Sequence, residues 1–184
     1  MYYKDYKASR DLAWQILIDN NVTQLPIRVT SLCRSMGIDV KLCELPSDNG
    51  GKSTIIDGKP IILINKADSI ARQRFSAAHE LGHILLGHVG EYKLVNREPH
   101  KQDNPIEQAA NVFAARLLAP ACVLYEIGAD TPEKISSICN ISITAATFRC
   151  ERMKLLLQRN KFYTSPLERQ VLHQFENYIK LNRL

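Results

Sequence analysis

The residues whose types and spacing could carry chemistry lie in one short stretch, His79-Glu80-Leu81-Gly82-His83, an H-E-x-x-H pattern. On an α-helix, positions i and i+4 lie about 40° apart, so the imidazoles of His79 and His83 project side by side and can bind one metal ion. Glu80 lies about 100° from His79 around the helix, within reach of a water molecule beside that metal. Two ligands and an adjacent base predict metal-assisted hydrolysis, with zinc as the usual metal.

The residues around this pattern predict one helix of about twenty residues that holds both imidazoles. Asp68 or Ser69 is expected to cap its start, and it should end before Gly90. Glycine within a helix costs about 1 kcal/mol relative to alanine, so Gly82 predicts the close approach of another element. The alternative to a metal-binding pair is that two core or surface histidines have this spacing by chance. The residues that recur at the spacing of an apolar helix face are Phe75, Ala78, Gly82, Leu85 and Val89.

The composition predicts a soluble globular protein with a full core. Hydrophobic residues make up 45% of the 184 residues and charged residues 23%, and no stretch approaches the about 20 apolar residues that span a bilayer. The polar, aromatic start of the chain does not resemble an export signal, so we expect a cytoplasmic protein that does not contact a membrane. Five cysteines without a C-x-x-C pair predict reduced thiols rather than a disulfide framework. The net charge of +5 is spread along the chain and does not indicate a partner.

The elements that must position the pattern begin with a small sheet and its flanking helices. Alternating apolar and polar residues predict strands, and Asp57-Gly58 between two of them predicts a tight hairpin because this pair tolerates positive φ. The fold class predicted from this order of elements is α+β. The predicted elements are helices over residues 9–20 and 26–36 and strands over residues 38–43, 53–56 and 61–64.

A second helix is predicted to begin at Asn104-Pro105, after a charged segment, residues 91–103, which we interpret as a loop. Glu107 follows the capping residue Asn104 by three positions and shares a helix face with Asn111 and with apolar residues. A carboxylate on a buried face needs a partner. Its position leaves two interpretations open: Glu107 folds back on the helix start as part of a capping box, or it is a third metal ligand.

Together the two segments resemble the ImmA/IrrE family of metallopeptidases. The resemblance rests on the stretch from Arg74 to His88 and on the pattern Glu-x-x-Ala-Asn-x-Phe-Ala-Ala-x-Leu-Leu-x-Pro, which begins 28 residues after His79, and it covers roughly residues 25–125. It implies a zincin-like metallopeptidase core in which His79, His83 and Glu107 bind zinc and Glu80 is the general base.

After Pro120 the chain changes character. A short helix from Thr131, a turn over residues 140–142 and a longer helix predict a helix-turn-helix-like shape, which resembles the second, helical part of the same family. Its second helix could enter a DNA major groove, but we favour a packing role. A last helix over residues 165–180 should be capped by Ser165. We predict a peptidase domain of residues 1–125 and a helical part of residues 126–184.

These observations predict a cytoplasmic zinc endopeptidase whose substrate lies extended along an edge strand, for which residues 61–64 are the candidate. The family resemblance implies that the substrate is a helix-turn-helix transcriptional repressor of a mobile element or a stress response. The alternative is a regulatory protein that binds a repressor or DNA on a zincin-like scaffold without cleaving it. The complete H-E-x-x-H pattern argues against that alternative. The residues available for oxyanion stabilisation, none of them assigned, are His88, Tyr92, His100 and Tyr125.

Overall fold

The computed structural model describes residues 3–47, 49–89 and 104–183. The predicted loop of residues 91–103, with Tyr92 and His100, therefore lies outside the described residues. Packing divides the chain into a first unit of residues 1–10 and 28–114 and a second unit of residues 11–27 and 115–184. The proposed boundary at residue 125 stays a prediction, since units defined by packing need not be independent domains.

The chain combines helices with one small sheet, so the α+β prediction is confirmed. No helix in the described part of the chain is both long and apolar enough to cross a lipid bilayer. The elements are α1 (Tyr3–Asp19), α2 (Val29–Ser35), β1 (Asp39–Cys43), β2 (Gly51–Ile56), β3 (Lys59–Asn65), α3 (Ile70–Leu85), α4 (Pro105–Leu118), α5 (Ala121–Glu126), α6 (Pro132–Cys139), α7 (Ile143–Gln158), α8 (Pro166–Gln174) and α9 (Glu176–Asn182).

The sheet of the first unit has the order β1-β3-β2, with β1 parallel and β2 antiparallel to β3. The predicted hairpin joins β2 to β3, and both of its turn residues have positive φ, 51° at Asp57 and 75° at Gly58. Ile62 and Ile64 alternate along β3 and are fully buried. The hairpin and the buried face of the central strand are therefore as the residue pattern predicts.

The expectation that residues 61–64 form an edge strand is wrong. They belong to β3, whose Ile62 pairs with Val40 on one side and with Ser53 on the other. Among the strands that the structure describes, β1 and β2 form the edges of the sheet. The hairpin signal shows that β2 and β3 are neighbours, but the side to which β1 adds depends on tertiary packing.

The start of α3 follows from its capping residue. Ser69 is the N-cap, and its side-chain oxygen accepts a hydrogen bond from the backbone N–H of Arg72 at 3.4 Å. Of the two predicted caps, the structure therefore selects Ser69 over Asp68.

The end of α3 differs from the prediction, because the helix stops at Leu85 rather than near Gly90. Gly87 has φ +76°, its N–H donates to the Ile84 carbonyl at 3.2 Å, and the N–H of His88 donates to the His83 carbonyl at 2.9 Å. This pair of bonds is a Schellman motif, which satisfies the last carbonyls of a helix and needs a residue in the left-handed region. It folds the backbone of His88 back toward His83.

The second unit contains the predicted helix-turn-helix-like pair, α6 and α7. Thr131 and Ser142 cap the two helices, and Asn140 between them is left-handed with φ 51°. The predicted last helix over residues 165–180 is wrong as a single element, because it is interrupted at Phe175, which ends α8 and begins α9. No Gly or Pro marks this break, which lies where Phe175 is fully buried in the core. Ser165 precedes α8 but makes no side-chain capping bond.

Candidate metal centre

The three residues predicted as metal ligands lie together. The Nε2 atoms of His79 and His83 are 2.9 Å apart, and the Glu107 carboxylate lies 3.1 Å from the first and 3.4 Å from the second. Around a tetrahedral zinc with bonds of about 2.0–2.1 Å, the ligand atoms would be about 3.3 Å apart. Two imidazoles and one carboxylate are donors that zinc accepts, so this set can hold a metal ion.

A glycine allows α3 and α4 to approach closely at this site. A Cβ atom added to Gly82 would lie 2.9 Å from Cδ1 of Phe113 and 3.4 Å from Cα of Ala110. The close approach predicted from Gly82 is therefore confirmed. It places the first turn of α4, with Glu107, against the histidine face of α3.

The two interpretations of Glu107 are separated by the direction of its side chain. The Asn104 Oδ1 atom accepts the hydrogen bond of the Ile106 N–H at 3.0 Å, so Asn104 supplies a cap, while the Glu107 carboxylate contacts both imidazoles. Hydrogen bonds with His79 and His83 hold the pKa of Glu107 well below its usual value, against the opposing effect of burial. Glu107 is therefore an anion at neutral pH, as a metal ligand must be.

Glu80 is 2% exposed, and its Oε2 atom accepts a hydrogen bond from the Ser53 hydroxyl at 2.6 Å. Ser53 belongs to the edge strand β2. Gly51 of the same strand allows the close approach to α3, because a Cβ there would lie 3.3 Å from Cγ of Glu80 and 3.2 Å from Cβ of Ser76. Ser53 is not among the residues that the sequence pattern singles out, because its only signal is its place within a predicted strand.

The other ring nitrogens of the two histidines have partners as well. The Nδ1 atom of His79 lies 2.9 Å from Oδ1 of Asn111, and Nδ1 of His83 lies 3.0 Å from Nδ1 of His88. The sequence pattern places Asn111 on the helix face of Glu107 but gives it no role, and it offers His88 only as a residue available for oxyanion stabilisation. The signals that could have identified them are the four-residue spacing from Glu107 to Asn111 and the Gly87-His88 pair at the helix end.

The remaining oxyanion candidate within the described residues is Tyr125. It belongs to the second unit, where its ring stacks on that of Phe162 with centroids 4.5 Å apart. The ligand set, Glu80, Ser53, Asn111 and His88 all lie within the first unit.

Comparison with known proteins identifies the family to which the sequence is similar. Residues 33–151, more than half of the chain, match a peptidase family described as the IrrE N-terminal-like domain. A curated relative, the radiation response metalloprotease IrrE of Deinococcus radiodurans, is 35% identical over 97 residues. That alignment covers 50% of this chain and 28% of the relative, so the chain spans less than a third of the length of the relative.

Proposed function

Because the chain belongs to the peptidase family of the IrrE N-terminal-like domain, we propose that it is a zinc-dependent endopeptidase that cleaves a specific intracellular protein. The observation that carries the proposal is the convergence of His79, His83 and Glu107 beside the buried carboxylate of Glu80. Three protein ligands of this kind are the pattern of catalytic zinc sites, which keep a further position open.

The chain supplies the ligands and the base for this reaction. Zinc held by the three ligands would polarise the scissile carbonyl and lower the pKa of a water molecule. Glu80 accepts the proton of the attacking water and returns it to the leaving nitrogen. The Ser53 hydroxyl holds Oε2 of Glu80 and so orients the carboxylate for both transfers. Burial of Glu80 removes competing water from the base.

We assign the substrate to the edge of the sheet at β2. This strand is an edge strand, and it carries the Ser53 that contacts the proposed base. An extended substrate segment would pair with its backbone, which gives affinity with little preference for side chains. Selection of one protein must then depend on surfaces away from the scissile bond.

The substrate that we propose is a helix-turn-helix transcriptional repressor of a mobile element or a stress response, cleaved in the cytoplasm. The support is the resemblance to the ImmA/IrrE family, together with five free cysteines, which suit a reducing compartment. Direct DNA binding by α6 and α7 is not favoured. Arg149 of α7 is 4% exposed, so its guanidinium is not available for DNA phosphates. The neighbouring Phe148 is 67% exposed, but its apolar ring carries no charge to bind them.

The test incubates the zinc-loaded chain with purified helix-turn-helix repressors encoded beside it and identifies the products by mass spectrometry. The expected result is cleavage at one bond by the wild-type chain and none by Glu80→Gln, which keeps the three ligands. A repressor that is bound equally by both chains and cleaved by neither would contradict the proposal and support the non-cleaving regulator.

A further inference from the structure

We infer that Asn111 and His88 fix the two ligand imidazoles in the tautomer and orientation that a metal requires, and thereby set the metal affinity of the site. The inference rests on the proposed function, since it takes His79 and His83 as ligands. The two residues are positioning residues, because each acts through the histidine that it contacts.

Asn111 determines the tautomer of His79. An amide oxygen only accepts hydrogen bonds, so with Oδ1 of Asn111 2.9 Å from the ring, the two side chains form a hydrogen bond when the proton of His79 is on Nδ1. A metal held by Nε2, the atom that faces His83 and Glu107, would use the lone pair of that nitrogen, and the ring then keeps its proton on Nδ1. Asn111 follows Glu107 by four residues, one turn later on α4. Consecutive turns of this helix therefore supply a metal ligand, Glu107, and the hydrogen-bond partner of another ligand, His79.

His88 has the same role for His83. If Nε2 of His83 presents its lone pair to the metal, its Nδ1–H must donate to Nδ1 of His88, 3.0 Å away. The Schellman motif that ends α3 places these residues together, because the backbone N–H of His88 donates to the carbonyl of His83. The two rings are edge to face, with centroids 5.2 Å apart.

The geometry separates His88 from the ligand set. Its contact is with Nδ1 of His83, the nitrogen that faces away from His79, and not with Nε2. Within the described residues, the group that can share one ion consists of His79, His83 and Glu107. His88 therefore lies behind its ligand, where it can hold the ring but does not complete the coordination.

A metal-binding histidine whose second nitrogen donates a hydrogen bond is a stronger base and rotates less. Loss of such a partner typically weakens metal affinity by about 10–100-fold. We expect this loss for Asn111→Ala and for His88→Ala. Asn111→Asp keeps an acceptor oxygen, and His88→Asn places an oxygen near the position of Nδ1, so both should retain an affinity close to that of the wild type.

The experiment measures the zinc dissociation constant of the metal-free chain by competition with a chromophoric chelator, with zinc alone as the ligand. His173→Ala and Asn182→Ala are matched controls, because both residues are exposed and lie in the second unit. Circular dichroism melting checks that each variant folds. Long-range ¹H–¹⁵N NMR of the zinc-loaded wild type should show Nδ1–H on both ligand histidines.

The outcomes separate this inference from the proposed function. Tight zinc binding by the wild type, a loss of about 10–100-fold in both alanine variants and recovery in the Asp and Asn variants would support the inference. If the wild type and both alanine variants bind zinc equally tightly, the inference is overturned but the proposed function is not. A wild-type chain that does not bind zinc would overturn the proposed function, and the inference with it.

Discussion

At the scale of single residues, the Ser53 hydroxyl is a hydrogen-bond donor by which the sheet holds the buried carboxylate of Glu80. Ser53 is 7% exposed and Glu80 is 2% exposed, and their oxygen atoms are 2.6 Å apart. A hydrogen bond to a buried charged group stabilises the fold more than one between neutral groups, because the group cannot regain a water molecule when its partner is removed.

Ser53→Ala should therefore lower the free energy of unfolding by about 1.5–3 kcal/mol, and Ser53→Thr, which retains the hydroxyl, by clearly less. Urea unfolding of the metal-free chains measures both. Zinc affinity should be unchanged in both variants, since Ser53 contacts none of the three ligands. Equal destabilisation by Ala and Thr would show that side-chain shape, and not the hydroxyl, is what matters at this position.

The cysteines differ in reactivity because of burial. Desolvation raises the pKa of Cys33 and of Cys122 from the usual 9.0 to about 12, and Cys139 and Cys150 are also buried. The thiolate is the reactive form, so at pH 8 a thiol reagent should modify the half-buried Cys43 first and the other four only as the chain unfolds. Cys43→Ser should remove the fast phase, and its persistence would contradict this account.

The same shifts give a pH dependence of stability. Cys33 and Cys122 lose their protons near pH 9 in the unfolded chain but near pH 12 in the folded one. Their contribution to stability is fully present below pH 9 and is lost as the pH rises toward 12, because the unfolded state then releases protons first.

At the scale of elements, the end of α3 links a helix boundary to the metal site. Gly87 and Gly58 both have φ near +75°, and a Cβ added to either would meet no atom within 4 Å. Alanine at either position therefore introduces backbone strain without a clash. Gly87 positions His88, whereas Gly58 lies in the β2–β3 turn.

Gly87→Ala should destabilise the fold by about 1 kcal/mol and also weaken zinc binding, while Gly58→Ala should destabilise it by a similar amount and leave zinc binding unchanged. Denaturant unfolding and chelator competition measure the two effects separately. A similar fall in zinc affinity in both variants would mean that general stability, and not the placement of His88, controls the site.

The sequence predicts the elements better than their arrangement. Helix starts are local signals, so capping residues such as Ser69 and Thr131 identify where α3 and α6 begin. The order of the strands and the break at Phe175 depend on which surfaces pack together, and no residue type marks either. The early end of α3 had a signal in Gly87, but the apolar periodicity through Val89 masked it.

At the scale of the whole molecule, the candidate site lies within the first unit, and its parts differ in how far they could be predicted. His79, Glu80 and His83 lie on one helix, so local spacing was sufficient. Glu107 required the family resemblance, because its position fitted a cap equally well. Ser53 could not be predicted, since its contact with Glu80 depends on the edge strand beside α3.

The zinc content per chain, measured by elemental analysis, tests the central claim most directly. The wild type, Glu80→Gln, His83→Ala and Glu107→Ala would be purified without added metal and checked for folding by circular dichroism. We predict about one zinc per chain in the wild type and in Glu80→Gln, and a large loss in the other two, because a site with three protein ligands depends on each of them. A wild-type chain without zinc even after reconstitution, or a Glu107→Ala chain that retains it fully, would contradict the account.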